Sequence, residues 1–313
     1  MGAFSDLREL PILGSALDLV CIALVGGPIL LRFVLEPFEQ GLFCSDTSIR
    51  LPFKDSTISN FTLLSVGFGL PAVVILLVEL VNSILVVRNR REGWSSEASN
   101  AGFKLDATLF TAFRFYAVHA FGGIMTAFLT EMVKYVVGGL RPNFWDVCRP
   151  INGTEQYCRD NPYAYLPSVE CGGPGARLDE LSNSRKSFFS GHSSLSFFHA
   201  THLALYLQYR MRWRIQSNLI RPFLQFVGLA MATVTAASRL SDHKHHLVDV
   251  LVGSVVGVVI ALATAFLFGE LPRHALGREQ KSKEADSIAP EVGFYRGHHE
   301  PYQSSMDAIT APV

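Results

Sequence analysis

"LVDVLVGSVVGVVIALATAFLF", residues 247–268, carries a single carboxylate, Asp249, and no other charge. A surface helix of a soluble protein keeps one polar face. This run is apolar all round and long enough to cross a bilayer, which takes roughly 20 residues. Working outward, five more apolar blocks occupy residues 13–31, 61–87, 108–133, 193–209 and 223–237. The blocks at 193–209 and 223–237 are shorter or more polar, and they read as spans in the company of the others. The expected fold is all-α: a polytopic membrane protein with six transmembrane helices. The first block does not read as a cleaved leader. Arg8 is the one positive residue before it, Asp6 and Glu9 accompany it, and "GGPILLRF" offers no small-residue cleavage site.

Arginines set the expected orientation. Arg88, Arg90 and Arg91 follow the second block; Arg210, Arg212, Arg214 and Arg221 follow the fourth; Arg273 and Arg278 follow the sixth. Positive-inside counting makes that side cytoplasmic, with both termini on it. Loops 36–60, 134–192 and 238–246 then face the extracellular or lumenal side. The expected organisation is a cytoplasmic N terminus over 1–12, a six-span domain over 13–270, and a polar, disordered cytoplasmic tail over 271–313. Net charge is zero, and no basic block could track a nucleic-acid backbone. Cys21 falls in the first span, whereas Cys44, Cys148, Cys158 and Cys171 all fall in outer loops. That confinement implies disulfides on an oxidising side, with three pairings open. "NGT" at Asn152 is a glycosylation sequon in the same loop, while the sequon at Asn60 abuts a span.

Three polar clusters share the outer ends of the spans. In "KYVVGGLRP", Lys134 and Arg141 lie seven apart, nearly two helical turns, and share a face if the helix continues past Gly138 and Gly139. A point charge and a planar fork are complementary tools for a phosphate. In "KSFFSGHSS", Ser190, Gly191 and His192 precede an apolar run and so mark a helix start, where free N–H groups and the dipole favour an anion. Ser190 serves there as an N-cap as well. In "SRLSDHKHHLVD", His245 and Asp249 are four apart, on one face of a helix. Asp249 can take the Nδ1 proton of His245 and leave Nε2 as a base or nucleophile, with Arg239 brought over the same spot by a turn. His246 points about 100° away on that helix. A zinc site built from His243, His245, His246 and Asp249 is disfavoured, because consecutive histidines diverge on a helix and no H-E-x-x-H pattern occurs.

In order, K-x6-R-P (Lys134, Arg141, Pro142), S-G-H (Ser190 to His192) and S-R-x5-H-x3-D (Ser238, Arg239, His245, Asp249) resemble the three-part signature of the type 2 phosphatidate phosphatase superfamily. "EPFEQGLFCSDTSIRLPFKDSTIS" and "KYVVGGLRPNFWDVC" extend the likeness to the lipid phosphate phosphatases over roughly residues 10–270. Two departures stand out: His243 where an aromatic is usual, and Leu247 where a tryptophan is frequent.

The resemblance implies a metal- and cofactor-independent phosphatase embedded in the bilayer, most often the plasma membrane. Its substrates would be phosphatidate, lysophosphatidate, sphingosine 1-phosphate and ceramide 1-phosphate. It implies His245 as nucleophile, Asp249 as its partner and His192 as proton donor. Lys134, Arg141, Arg239, Ser190 and Gly191 would hold the phosphate. A homo-oligomer is compatible with all of this. The alternative is a non-catalytic phospholipid-binding or transport protein using the same cationic pocket. Vanadium haloperoxidases share the signature but are soluble, and the apolar blocks argue against that chemistry.

Overall fold

The computed structural model describes residues 11–27, 36–92, 105–211 and 218–268, all within the unit Met1–Pro272. Helix α1 (Pro11–Gly26) leads to a two-residue strand β1 (Leu42–Phe43). A short α2 (Asn60–Leu64) passes through one π-helical turn, Ser65–Gly69, into α3 (Leu70–Glu92). Helix α4 (Leu105–Val137) is followed by three short helices, α5 (Phe144–Cys148), α6 (Thr154–Asp160) and α7 (Leu178–Ser184), with strand β2 (Tyr165–Leu166) between α6 and α7. Three long helices complete the bundle: α8 (Gly191–Arg210), α9 (Ile220–Ser241) and α10 (Leu247–Ala263), the last continuing into a π-turn, Thr264–Phe268.

Among the described residues, four stretches are long and apolar enough to cross a membrane: Asn60–Leu85, Leu105–Val137, Ile220–Ser241 and Leu247–Leu267. The chain is mostly helical, as expected, and these four match the second, third, fifth and sixth apolar blocks. The first block runs into residues 28–31, outside the described residues. Arg212, Arg214, Arg273, Arg278 and the tail 271–313 also lie outside them, as do the side chains of Asp18, Arg88, Arg90 and Arg91.

The burial pattern is inverted relative to a soluble bundle. On α10 the large residues Leu247, Val248, Leu251, Val255 and Val259 are exposed, whereas Asp249, Gly253, Gly257 and Ala261 are buried. Large apolar residues outward and small ones inward is the arrangement of helices solvated by lipid. Gly253 and Gly257 let α10 lie directly on α8. A Cβ there would sit 2.6 Å from the Ser190 carbonyl oxygen and 2.1 Å from that of Ser194.

Helix α8 is central, packed against α4, α9 and α10. Its polar residues Ser193, Ser194, His199 and His202 are buried among those neighbours, which is why its sequence is less apolar than a lipid-facing span. His119 of α4 bridges to His202 through Nδ1 at 3.1 Å and to His199 through Nε2 at 2.9 Å. Further along α8, the hydroxyl of Tyr206 and Nε of Arg210 both donate to Glu79 of α3, at 2.7 and 2.8 Å. Glu79 and His119 thus bond helix to helix, while Nε2 of His199 and of His202 is buried without a hydrogen-bond partner.

Residues 36–58 and 138–190 fold into a cap on one end of the bundle. β1 pairs antiparallel with β2 in the register Leu42↔Leu166 and Phe43↔Tyr165. Leu42, Ile49, Leu140, Phe144 and Cys148 form its apolar centre. The three pairings the sequence left open resolve to Cys44–Cys158 and Cys148–Cys171. Cys21 is free.

Candidate active site

Under the cap, the ends of α4, α8 and α9 and the loop before α10 surround a cavity of about 700 Å³. Lys134, Arg141, Gly191, His192, Arg239 and His245 all line it. The three sequence clusters therefore converge, although not through the local geometry expected of them.

Helix α4 stops at Val137 rather than continuing to Arg141. Gly138 adopts φ +59°, and a Cβ there would lie 1.8 Å from the Phe38 carbonyl oxygen, so the chain turns at a position that only glycine fits. Arg141 reaches the cavity from the following loop, held by its backbone N–H on the Ser184 carbonyl at 2.8 Å. Its Nη2 donates to the Lys186 carbonyl at 3.4 Å, while Nε is buried with no hydrogen-bond partner. Burial lowers the Arg141 pKa to about 10, so the guanidinium is charged at neutral pH. Lys134 pairs at 3.0 Å with Glu131, one helical turn earlier.

Ser190 is the N-cap of α8, its Oγ accepting from the Ser193 N–H at 3.4 Å. It is fully buried behind the cavity wall rather than lining it. Gly191 opens the helix, and a Cβ there would stand 3.2 Å from Lys134 Nζ. The missing side chain leaves room for the ammonium beside the helix start, where it and the N–H groups can face one anion. His192 Nε2 donates to the Ile58 carbonyl at 2.9 Å.

The third cluster corrects two expectations. His245 is not on the helix with Asp249. α10 begins at Leu247 with His246 as its N-cap, and Asp249 is the third residue of its first turn. Asp249 Oδ2 accepts from the His246 N–H at 2.9 Å and lies 3.4 Å from His246 Nδ1, so His246 faces Asp249 rather than pointing away. His245 Nδ1 stands 3.7 Å from the same oxygen, beyond a hydrogen bond, and is buried without a partner. Helix geometry does not place His245. Its N–H and that of Lys244 both reach the Arg239 carbonyl, at 3.4 and 3.1 Å. Burial lowers the His245 pKa to about 3, so the imidazole is neutral. The Asp249 hydrogen bond raises the pKa of His246.

Several contributors were missed. Lys186 and Lys244 also line the cavity, whose charged walls carry five cationic residues and two carboxylates, Glu131 and Glu180. That excess favours an anion. Burial lowers the Lys244 pKa, and its Nζ sits 3.7 Å from the centre of the Phe53 ring. Ser187 donates to Asp249 Oδ2 at 2.6 Å. Lys186 and Ser187 open the quoted "KSFFSGHSS", and Lys244 lies inside "SRLSDHKHH", so adjacency to the motifs was the available signal. Asn152 lies apart from the cavity, exposed in the cap, with its amide on Glu170. Among the described residues no group of His, Cys, Asp and Glu could hold a metal ion.

The PAP2 superfamily profile matches residues 115–272, which span both sides of this cavity. A Drosophila melanogaster protein named after phosphatidate phosphatase is 38% identical over 82% of this chain and 68% of its own. Phospholipid phosphatase 2 of Bos taurus is 34% identical over 86% of this chain and 88% of its own. Phospholipid phosphatase 1 of Rattus norvegicus is 31% identical over 91% and 96% respectively. No solved structure gives a significant match. The family match over residues 115–272 and these identities over most of the chain identify it as a member of the PAP2 superfamily, among its phospholipid phosphatases.

Proposed function

We propose that this phosphatase removes the phosphate from lipid phosphate monoesters, phosphatidate, lysophosphatidate, sphingosine 1-phosphate and ceramide 1-phosphate, through a phosphohistidine on His245. The observation that carries the reading is the meeting of Lys134, Arg141, Arg239, His192 and His245 on one cavity. The buried, unpartnered Nε of Arg141 adds to it.

The cations and the Gly191 N–H hold the phosphoryl oxygens, with Ser190 setting the helix start behind them. Nε2 of neutral His245 attacks phosphorus, and the bond from phosphorus to the lipid oxygen breaks. Burial and the Arg239 charge lower the His192 pKa to about 4, and the phosphate dianion brings the ring to its imidazolium form against them. His192 then gives the lipid oxygen its proton and becomes neutral. Asp249 stabilises the imidazolium that forms. In the second half, His192 takes a proton from water as its oxygen attacks phosphorus. The P–N bond then breaks, releasing inorganic phosphate and restoring His245. Fixed cations at the transferring group supply the stabilisation that the chemistry most needs, so no metal takes part.

Six spans over residues 13–270 would place the cap, its disulfides, the glycan at Asn152 and the cavity on the extracellular or lumenal side. The termini would be cytoplasmic and the setting the plasma membrane. There the phosphate of a bilayer lipid meets the cavity while its chains stay in the hydrocarbon.

The test is single-turnover trapping with labelled lysophosphatidate in detergent micelles containing EDTA. An acid-labile, base-stable label on His245, absent in His245→Ala together with phosphate release, is expected. Phosphate release that survives His245→Ala rejects the assignment. Binding of lysophosphatidate without release by the wild-type chain would instead favour the lipid-binding alternative.

A further inference from the structure

Residues 51–58 touch all three motif stretches. The Leu51 N–H donates to the Pro142 carbonyl at 2.8 Å. His243 Nδ1 donates to the Pro52 carbonyl at 2.9 Å, and Lys54 Nζ to the Ser241 carbonyl at 3.0 Å. Thr57 grips Asp242 twice, its N–H on Oδ2 at 2.8 Å and its hydroxyl on Oδ1 at 2.6 Å. Asp242 Oδ2 also accepts from Arg239 Nη2 at 2.7 Å, with Arg239 almost wholly buried. The next residue, Ile58, presents its carbonyl to His192.

Two consecutive residues thus hold the two groups that handle charge and protons. A backbone carbonyl can only accept, so His192 Nε2 must carry the hydrogen in this contact. The other nitrogen, Nδ1, is left to exchange a proton. Asp242 occupies one edge of the Arg239 guanidinium and fixes its rotation, while Ser238 Oγ takes Nε at 3.2 Å.

We propose that residues 51–58 form a strap that registers the active site. Thr57 acts through Asp242 to position Arg239, and the Ile58 carbonyl fixes the His192 tautomer so that Nδ1 is the proton-transferring atom. Thr57 and Asp242 are positioning residues, and His243 anchors the strap through the Pro52 carbonyl. The proposal rests on the reading of His192 as the proton donor to the leaving group.

Leaving-group dependence separates the two arms of the strap. An alkoxide needs a proton as it departs, whereas p-nitrophenolate leaves without one. The full-length enzyme in detergent is assayed with lysophosphatidate and with p-nitrophenyl phosphate, comparing wild type, Thr57→Val, Thr57→Ser and Asp242→Asn. Thr57→Val keeps size and, on an exposed residue, leaves folding intact, which melting temperature checks. By loosening both arms it should lower kcat on lysophosphatidate, which needs Arg239 and His192, by about 10–100-fold, and on p-nitrophenyl phosphate, which needs Arg239 alone, by a smaller but measurable factor. Thr57→Ser should restore the rate. Asp242→Asn should slow both substrates equally, because Arg239 serves the transferring phosphoryl group in each.

Wild-type kinetics in Thr57→Val, or losses equal on the two substrates, overturn the strap. A wild-type enzyme that never forms phosphohistidine overturns the parent reading and the proposal with it. One that forms it beside unaltered Thr57→Val kinetics overturns the strap alone.

Discussion

Ser187 Oγ lies 2.6 Å from Asp249 Oδ2, while His245 Nδ1 stands 3.7 Å from the same oxygen. One carboxylate oxygen thus serves a serine and both the backbone and the ring of His246, with the His245 ring just out of reach. Ser187 holds it in a position from which a short movement would reach His245 if, as proposed, that ring becomes an imidazolium.

Removing the serine should therefore weaken the turnover step more than binding. A hydrogen bond to a charged group is worth about 1.5–3 kcal/mol. Ser187→Ala should lower kcat by roughly tenfold with KM little changed, as steady-state kinetics on lysophosphatidate would read. Asp249→Asn should cost more, because it removes the counter-charge altogether. Equal kcat in Ser187→Ala and wild type would mean that Asp249 needs no support.

Lys244 is a cation that the three-part signature does not include, yet it lines the cavity and is almost fully buried. Lys244→Met keeps much of its length and removes its charge. It should lower kcat/KM for lipid phosphates by on the order of tenfold. That is less than the about 10²–10³ expected of a donor aimed at the transferring group. The measurement is kcat/KM at two salt concentrations, and the salt dependence should shrink with the lost charge.

Acid should destabilise the fold through His245. Burial lowers its folded pKa to about 3, whereas the unfolded ring titrates near 6.5. Between those values the unfolded chain binds a proton that the folded chain does not, so stability falls as pH drops from about 6.5 toward 3. Above pH 6.5 the group contributes no pH dependence. His245→Asn lacks this term, and its melting temperature should decline less steeply over the same acid range. Parallel declines in the two proteins would refute a buried neutral imidazole.

The contact of α10 with α8 should tolerate no added methyl group. A Cβ at residue 257 would fall 2.1 Å from the Ser194 carbonyl oxygen and one at residue 253 would fall 2.6 Å from that of Ser190. Gly257→Ala should lower stability by about 1–3 kcal/mol, the usual cost of overpacking. Gly253→Ala should do the same and lose activity too, because Ser190 sets the helix start at the phosphate end. Thermal melting in detergent alongside phosphate release would separate the two effects.

Much of the helical framework was legible along the chain, because spanning a bilayer demands long apolar runs that few other structures contain. Residues 247–268 were readable for that reason. Helix α8 was harder. Its serines and histidines look polar in sequence, and only their burial against α4 and α10 explains them. The motif residues were legible too, since Lys134, Arg141, His192, Arg239 and His245 are the groups that phosphate chemistry needs and they sit at the ends of apolar runs. Local spacing misled twice. Glycine at position 138 turns the chain before Arg141, and the α10 N-cap at His246 leaves His245 off the helix, so both side chains reach the cavity from loops.

Sequence alone determined the apolar runs, the residue types available for chemistry and the cysteines that could pair, because each of these depends on composition and on neighbours along the chain. Tertiary structure alone decided which cysteines meet, that Asp249 is shared, and that Thr57 and Ile58 reach Asp242 and His192. Those contacts join residues up to 185 positions apart. Their geometry is set by how helices and cap pack in space, and no periodicity along the chain encodes it.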